Sequence, residues 1–227
     1  LASTFNMNNG RVIVVNGNGT SASDFDFRLN SGNGIIDGGV IQIGDTLATP
    51  NGTIFKIGGT TPIYDLHLAN DVAKNSITKL EEVIFNIKND FIIDDNHNFD
   101  LNSNTVNLSG DLINYGTFSG SPGIATTLPW LLILSGSADQ NLFNDDSPGI
   151  NIYNLRLSKA DGKLTLDANG NSNIIVRGAL EFADGNNAFI DASALNRSVS
   201  INPDLDANPQ ILRVGKGHVY GRLYHWV

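Results

Sequence analysis

Apolar residues recur at every second position in short runs along this chain, and clusters of Asn, Gly, Asp and Ser separate the runs. A period of two puts alternate side chains on opposite faces of an extended backbone, so each run predicts a strand with one buried face. The first half carries such runs at 11–15, 25–29, 40–43, 54–57, 64–68, 85–87, 91–93, 99–101 and 106–108. The second half continues the habit at 131–134, 152–157, 164–166, 174–176, 180–182, 189–190 and 199–201. Helical periodicity is nearly absent: only 71–82 has the Lys, Glu and Ala content for a turn or two of helix, and Ile77 and Thr78 argue against it there.

The spacing of the runs predicts how they assemble. Strands arriving every eight to twelve residues, with turn residues between them, fit coils of roughly 20 to 30 residues, each leaving an apolar face that the next coil buries. One pair of segments repeats closely: Ile63-Tyr64-Asp65-Leu66-His67-Leu68 and Ile152-Tyr153-Asn154-Leu155-Arg156-Leu157 agree at four of six positions, 89 residues apart. The expected architecture is all-β, a right-handed parallel β-helix forming one elongated domain over 1–227, with two related arrays of coils at about 1–125 and 126–227. The alternative is an antiparallel β-sandwich, which has strands at the same spacing. Two features favour the solenoid: long hairpin strands are missing, and neutral Asn-rich turns can stack from coil to coil without accumulating charge. The polar stretch 70–82 is longer than its counterpart Lys159-Ala160-Asp161-Gly162-Lys163 and is expected to protrude as a loop.

Composition narrows the functional classes. About thirty Asn and 24 Gly punctuate the strands, often as Asn-Gly pairs that tolerate positive φ. A formal net charge of -9, with 14 Lys and Arg scattered along the chain, argues against nucleic acid and anionic lipid as partners. There is no Cys, hence no disulfide framework and no thiolate metal site. The longest strongly apolar run, 128–134, is too short to span a bilayer and contains Pro129, so no transmembrane segment and a soluble chain are expected.

A wider pattern joins these segments. Leu134-Ser135-Gly136-Ser137-Ala138-Asp139-Gln140-Asn141-Leu142 is followed by 152–157, by Leu164-Thr165-Leu166, and by Ile174-Ile175-Val176-Arg177-Gly178-Ala179-Leu180. This succession resembles the β-helical repeat regions of large secreted, adhesin-like surface proteins of Bacteroidota. The closing Gly217-His218-Val219-Tyr220-Gly221-Arg222-Leu223 is similar to the segment that follows those repeats. The resemblance spans about 54–227 and rests on packing and turn residues. It implies export, commonly by type IX secretion, and an extracellular or cell-surface location. No C-terminal sorting domain is visible, and the chain opens on Leu1 and stops at Val227, which points to a fragment of a longer protein.

Candidate chemistry is sparse. Parallel β-helices that cleave polysaccharides need paired carboxylates, or calcium beside a basic residue. Asp94, Asp95 and Asp100 surround His97 in sequence, but no Lys or Arg lies between Asp90 and Gly110, and a polar corner explains the group. Asp145-Asp146 before Ser147-Pro148-Gly149 reads as turn formers. Asp204, Asp206 and Asn208 alternate, as calcium ligands would, but sit between Pro203 and Pro209 in what reads as a loop. The four His, at 67, 97, 218 and 225, have no metal-ligand spacing, and His67, between Leu66 and Leu68, is expected to point out of its coil. Gly17-Asn18-Gly19 and Gly32-Asn33-Gly34 lack the helix and Lys of a phosphate cradle. Trp130, Trp226, Tyr115, Tyr153, Tyr220 and Tyr224 offer sugar-stacking faces or coil packing, the second being the more common use.

The sequence thus predicts a non-enzymatic structural or adhesive segment with no catalytic residues, metal site or cofactor, whose partners are other domains of a parent chain, surface or secretion-machinery proteins, or glycans. Two alternatives stand beside it: a carbohydrate-active β-helix enzyme, and a cargo or partner of a secretion or gliding machine.

Overall fold

The computed structural model describes residues 4–18, 24–30, 34–71, 73–119, 130–159, 162–183, 188–201, 218–221 and 223–225. The chain winds into a parallel β-solenoid of about seven turns, with no helix among the described residues. A long face of nine strands runs from Phe5–Val14 to His218–Gly221. A second face begins as five strands, from Phe27–Arg28 to Thr117–Ser119. From Ile150–Ile152 onward its place in the coil is taken by a four-stranded sheet. A third face of five strands starts at Ile84–Ile87 and ends at Leu180–Phe182. From Ile84–Ile87 to Leu180–Phe182 the chain visits long, second and third face in rotation.

Every strand pair is parallel, and the register stacks like on like. On the long face Leu66, Phe91, Leu112, Leu142 and Leu166 form one inward column, each registered with the next. The third face stacks Phe85, Val106, Leu132, Leu155 and Leu180 in the same way. All ten are at least 98% buried. Burial of such a side chain stabilises by about 1.5–3 kcal/mol, and because each coil contacts only its neighbours, stability accrues coil by coil. An aromatic seam fills the middle: Phe91 meets Phe99 edge-on at 5.0 Å, Phe99 meets Phe118 at 5.8 Å, and Phe118 meets Trp130 at 5.6 Å.

One coil takes 21 residues between Asp90 and Asp111 and 30 between Asn114 and Asn144, so the corners absorb the variation in length. Neutral ladders are present both along a strand face, at Asn86 and Asn107, and at strand ends and corners. Asn107 Nδ2 donates to Asn86 Oδ1 at 3.1 Å, Asn114 Nδ2 donates to Asn144 Oδ1 at 2.6 Å, and the hydroxyls of Ser109 and Ser135 lie 3.0 Å apart.

Two sequence expectations are corrected. The stretch 70–82 is not a protruding loop throughout: Ser76–Leu80 is a strand of the second face, registered between Thr53–Gly58 and His97–Asp100. The run 152–157 is two strands, Ile150–Ile152 and Asn154–Ser158, with a corner at Tyr153. Of the two matching hexapeptides, the first supplies Asp65–Leu68 to the long face and the second supplies Asn154–Ser158 to the third. What they share is alternation, with Leu66, Leu68, Leu155 and Leu157 all pointing inward.

Candidate functional site

Polar side chains concentrate on two edges of the solenoid. At the edge between third and long faces, aspartates form a ladder that caps backbone amides of successive coils. Asp65 Oδ1 accepts from Asp90 N at 3.0 Å and from Asn89 Nδ2 at 2.8 Å. Asp90 Oδ1 accepts from Asp111 N at 2.9 Å, and Asp111 Oδ1 from Asn141 N at 2.7 Å. Burial raises the Asp90 carboxyl above its ordinary range; the Asp111 amide pulls it back, and the charges of Asp111 and Asp65 push it up again.

Beyond this ladder lies a fully buried cation. Lys159 Nζ donates to Ala138 O at 2.6 Å, to Gln140 Oε1 at 2.7 Å and to Ser135 O at 3.5 Å. Burial lowers its pKa while Asp139 and Asp111 act in the opposite sense. All three contacts are to groups of its own wall, so Lys159 closes a corner and has no opening toward a ligand.

The other edge, between long and second faces, carries a groove of about 600 Å³. Four successive coils line it, the first through Asn70. Asp94, Asp95 and Asn96 turn the chain from Phe91–Ile93 into His97–Asp100, Tyr115 and Gly116 do so from Leu112–Asn114 into Thr117–Ser119, and Asp145, Asp146 and Ser147 follow Gln140–Asn144. Gly116 is required by the close approach of the coil beneath: a Cβ there would lie 2.3 Å from His97 O and 2.4 Å from Asp94 O.

Asp94 and His97 are both held by structure, but not by each other. His97 is wholly buried, with Nε2 2.8 Å from Thr78 Oγ1, Nδ1 3.3 Å from Ala69 O, and its ring stacked 6.3 Å from that of Phe55. The contacts fit a neutral ring that donates from Nδ1 and accepts at Nε2, and burial pushes its pKa down to about 4. Asp94 instead pairs with His67, Oδ1 to Nε2 at 2.9 Å, and Oδ2 accepts from Asn70 N at 3.3 Å. Burial alone would raise the Asp94 carboxyl, but the hydrogen bond and charge of His67 and the Asn70 amide hold it below the ordinary carboxylate range. Asp100 is buried and accepts from Asn102 N at 2.9 Å, away from this groove. Sequence proximity therefore grouped residues that the fold separates, and His67, half-buried on the outer side of its strand, is the partner sequence did not reveal.

Asp145 and Asp146, read as turn formers, do turn the chain, and they also line the groove. Among the described residues the carboxylates of Asp95, Asp145 and Asp146 make no hydrogen bond or ion pair, whereas every other described carboxylate from Asp26 onward does. Among the described residues no Lys or Arg lines the groove. Tyr115, 47% exposed, lies across it with its ring 4.9 Å from that of Phe143. Trp130 and Tyr153 are buried in the core, and Tyr220 is exposed at the last strand of the long face. Asp204, Asp206, Asn208 and Trp226 lie outside the described residues, as do Gly19, Gly32 and Asn33 of the glycine turns.

No cluster of three or more His, Asp or Glu that could hold a metal occurs among the described residues, and no described helix is long and apolar enough to cross a membrane. No protein-family model matches the chain, and no curated protein or solved structure is significantly similar to it.

Proposed function

We propose that this solenoid is a non-enzymatic structural and adhesive segment of an extracellular or cell-surface protein, a stiff column that presents its lateral edge to glycans or neighbouring proteins. The observation that carries the reading is the division of labour among the acids. From Asp26 onward, all but three of the described carboxylates are engaged in hydrogen bonds or ion pairs within turns or between coils, and the three that are not share one open groove with an exposed aromatic ring. In that groove Asp94 is kept ionised by His67 and Asn70, which makes it an acceptor and not a proton donor at neutral pH. Among the described residues no Lys or Arg lines the groove, and the imidazole beside the acids, His67, is taken up by Asp94, so no cation is placed to stabilise developing negative charge, as a lyase would need.

The test is to incubate the chain with immobilised and soluble polysaccharides, measuring retention together with new reducing ends and unsaturated sugar products. Retention without products supports the proposal. Product formation that disappears in Asp94→Asn overturns it in favour of a carbohydrate-active enzyme.

A further inference from the structure

Building on the adhesive reading, we infer that the groove at the edge of the long and second faces binds amino-sugar oligomers, with a pyranose ring laid on Tyr115 and the ammonium groups of the oligomer reaching Asp95 on one side and Asp145 and Asp146 on the other. Two independent features converge on this ligand. The first is shape and apolarity. Tyr115 presents nearly half its surface and is braced by Phe143, whose outward position on the long face continues the registered column Ile92, Ile113, Phe143. A braced, exposed aromatic ring is a platform for the C–H face of a sugar, which is planar and apolar while its rim is polar.

The second feature is charge. Asp95 comes from the coil before Tyr115, and Asp145 and Asp146 come from the coil after it. With strands about 4.8 Å apart, the acids flank the ring roughly one coil spacing to either side. None of the three is neutralised by a contact within the described fold, no Lys or Arg among the described residues lines the groove, and the chain's net charge of -9 deepens the negative potential there. An acidic polysaccharide would be repelled, and a neutral one would leave the carboxylates without a counter-charge. A sugar bearing a primary ammonium supplies both the stacking face and the charge, and Asn96, Ser147 and Thr117 supply further hydrogen-bonding groups along the walls. The volume of about 600 Å³ suits a short oligomer.

The experiment is calorimetric titration of the chain with glucosamine oligomers and with fully N-acetylated oligomers of the same length, at mildly acidic pH where the amine is protonated. The free-amine oligomers are expected to bind at least roughly tenfold tighter than the acetylated ones, with an affinity that falls as salt rises. Tyr115→Ala and the double variant Asp145→Asn/Asp146→Asn are each expected to weaken binding by roughly tenfold or more. These side chains are exposed, and an unchanged circular dichroism melt verifies folding. The acetylated oligomer provides the same contrast on the unaltered chain.

Equal binding of the two oligomers, or binding of neither, overturns the inference while leaving the adhesive reading to its own test on other glycans. Binding abolished by a calcium chelator overturns it in favour of a cation site. Shortening of the oligomer overturns the adhesive reading itself.

Discussion

His97 should make the fold sensitive to acid, and the size of the effect follows from its surroundings. The ring is wholly buried against Phe55, accepts from Thr78 and donates to Ala69, and holds a pKa of about 4. In the unfolded chain the same ring titrates near 6.5. Between those values the unfolded state binds a proton that the folded state refuses, so stability is complete above about pH 6.5 and falls as pH drops toward 4. At 1.36 kcal/mol per pH unit, the loss between pH 7 and pH 4 is about 3 kcal/mol from this one group. Urea unfolding at both pH values, on the protein and on His97→Gln, isolates the contribution. The difference in pH dependence between the two is the quantity of interest, because the carboxylates other than Asp94, which His97 influences, are common to both. Asp94, held below the ordinary range, loses its share of stability only at lower pH, and Asp90, raised, acts in the opposite sense. A His97→Gln chain that loses stability in parallel with the unaltered one refutes the reasoning, as does an NMR titration placing the His97 ring near 6.5.

Other consequences are more local. Lys159→Met removes the donor shared by Ala138 O, Ser135 O and Gln140 Oε1 and should cost about 1–3 kcal/mol in urea unfolding, even though the new side chain is of similar length. Phe99→Ala breaks the aromatic seam between Phe91 and Phe118 at a wholly buried position and should lower stability by about 3–5 kcal/mol by the same assay. The chain has no Cys, so a double Asn86→Cys/Asn107→Cys variant offers a clean test of register. Adjacent parallel positions about 4.8 Å apart fall in the Cα range of a disulfide, and rapid intramolecular cross-linking is expected on oxidation. Its failure would count against the stacked register.

Much of the fold was legible because coil stacking writes a period of two into the sequence. Phe85, Ile87, Val106, Leu108, Leu132 and Leu134 announce their strands by alternation alone. Two of the strands that escaped notice invert that code near corners. Ser76–Leu80 points Ser76 and Thr78 inward and Ile77 outward, because Asn70 and His97 wait inside to bond them. Gln140–Asn144 likewise turns Gln140 and Asn144 in and Phe143 out, the first reaching the carbonyls of Leu108 and Gly110, the second receiving Asn114. A polar residue inside a coil looks like a turn until its partner one coil away is known. Tyr153 hid a corner for the opposite reason, since an apolar residue turned the chain without Gly or Asn.

The groove was invisible for a related cause. Asp95, Tyr115 and Asp146 belong to three successive coils, and variable corner lengths conceal which residues share an edge. Turn formation also explained Asp145 and Asp146 fully at the level of sequence. Only the engagement of the other described carboxylates sets these apart. Charged residues stack beside the neutral ladders as well: Asp65, Asp90 and Asp111 follow one another coil by coil, each acid offset by the backbone N–H it accepts from.

The claim that this edge is a binding site and not a catalytic one is tested most directly by a crystal structure of the chain grown with a glucosamine oligomer. The account predicts an intact oligomer with one ring stacked on Tyr115 and its amine within hydrogen-bond reach of Asp95, Asp145 or Asp146. An oligomer bound elsewhere on the solenoid contradicts the assignment of the groove, and a cleaved oligomer lying across Asp94 and His67 contradicts the non-enzymatic reading.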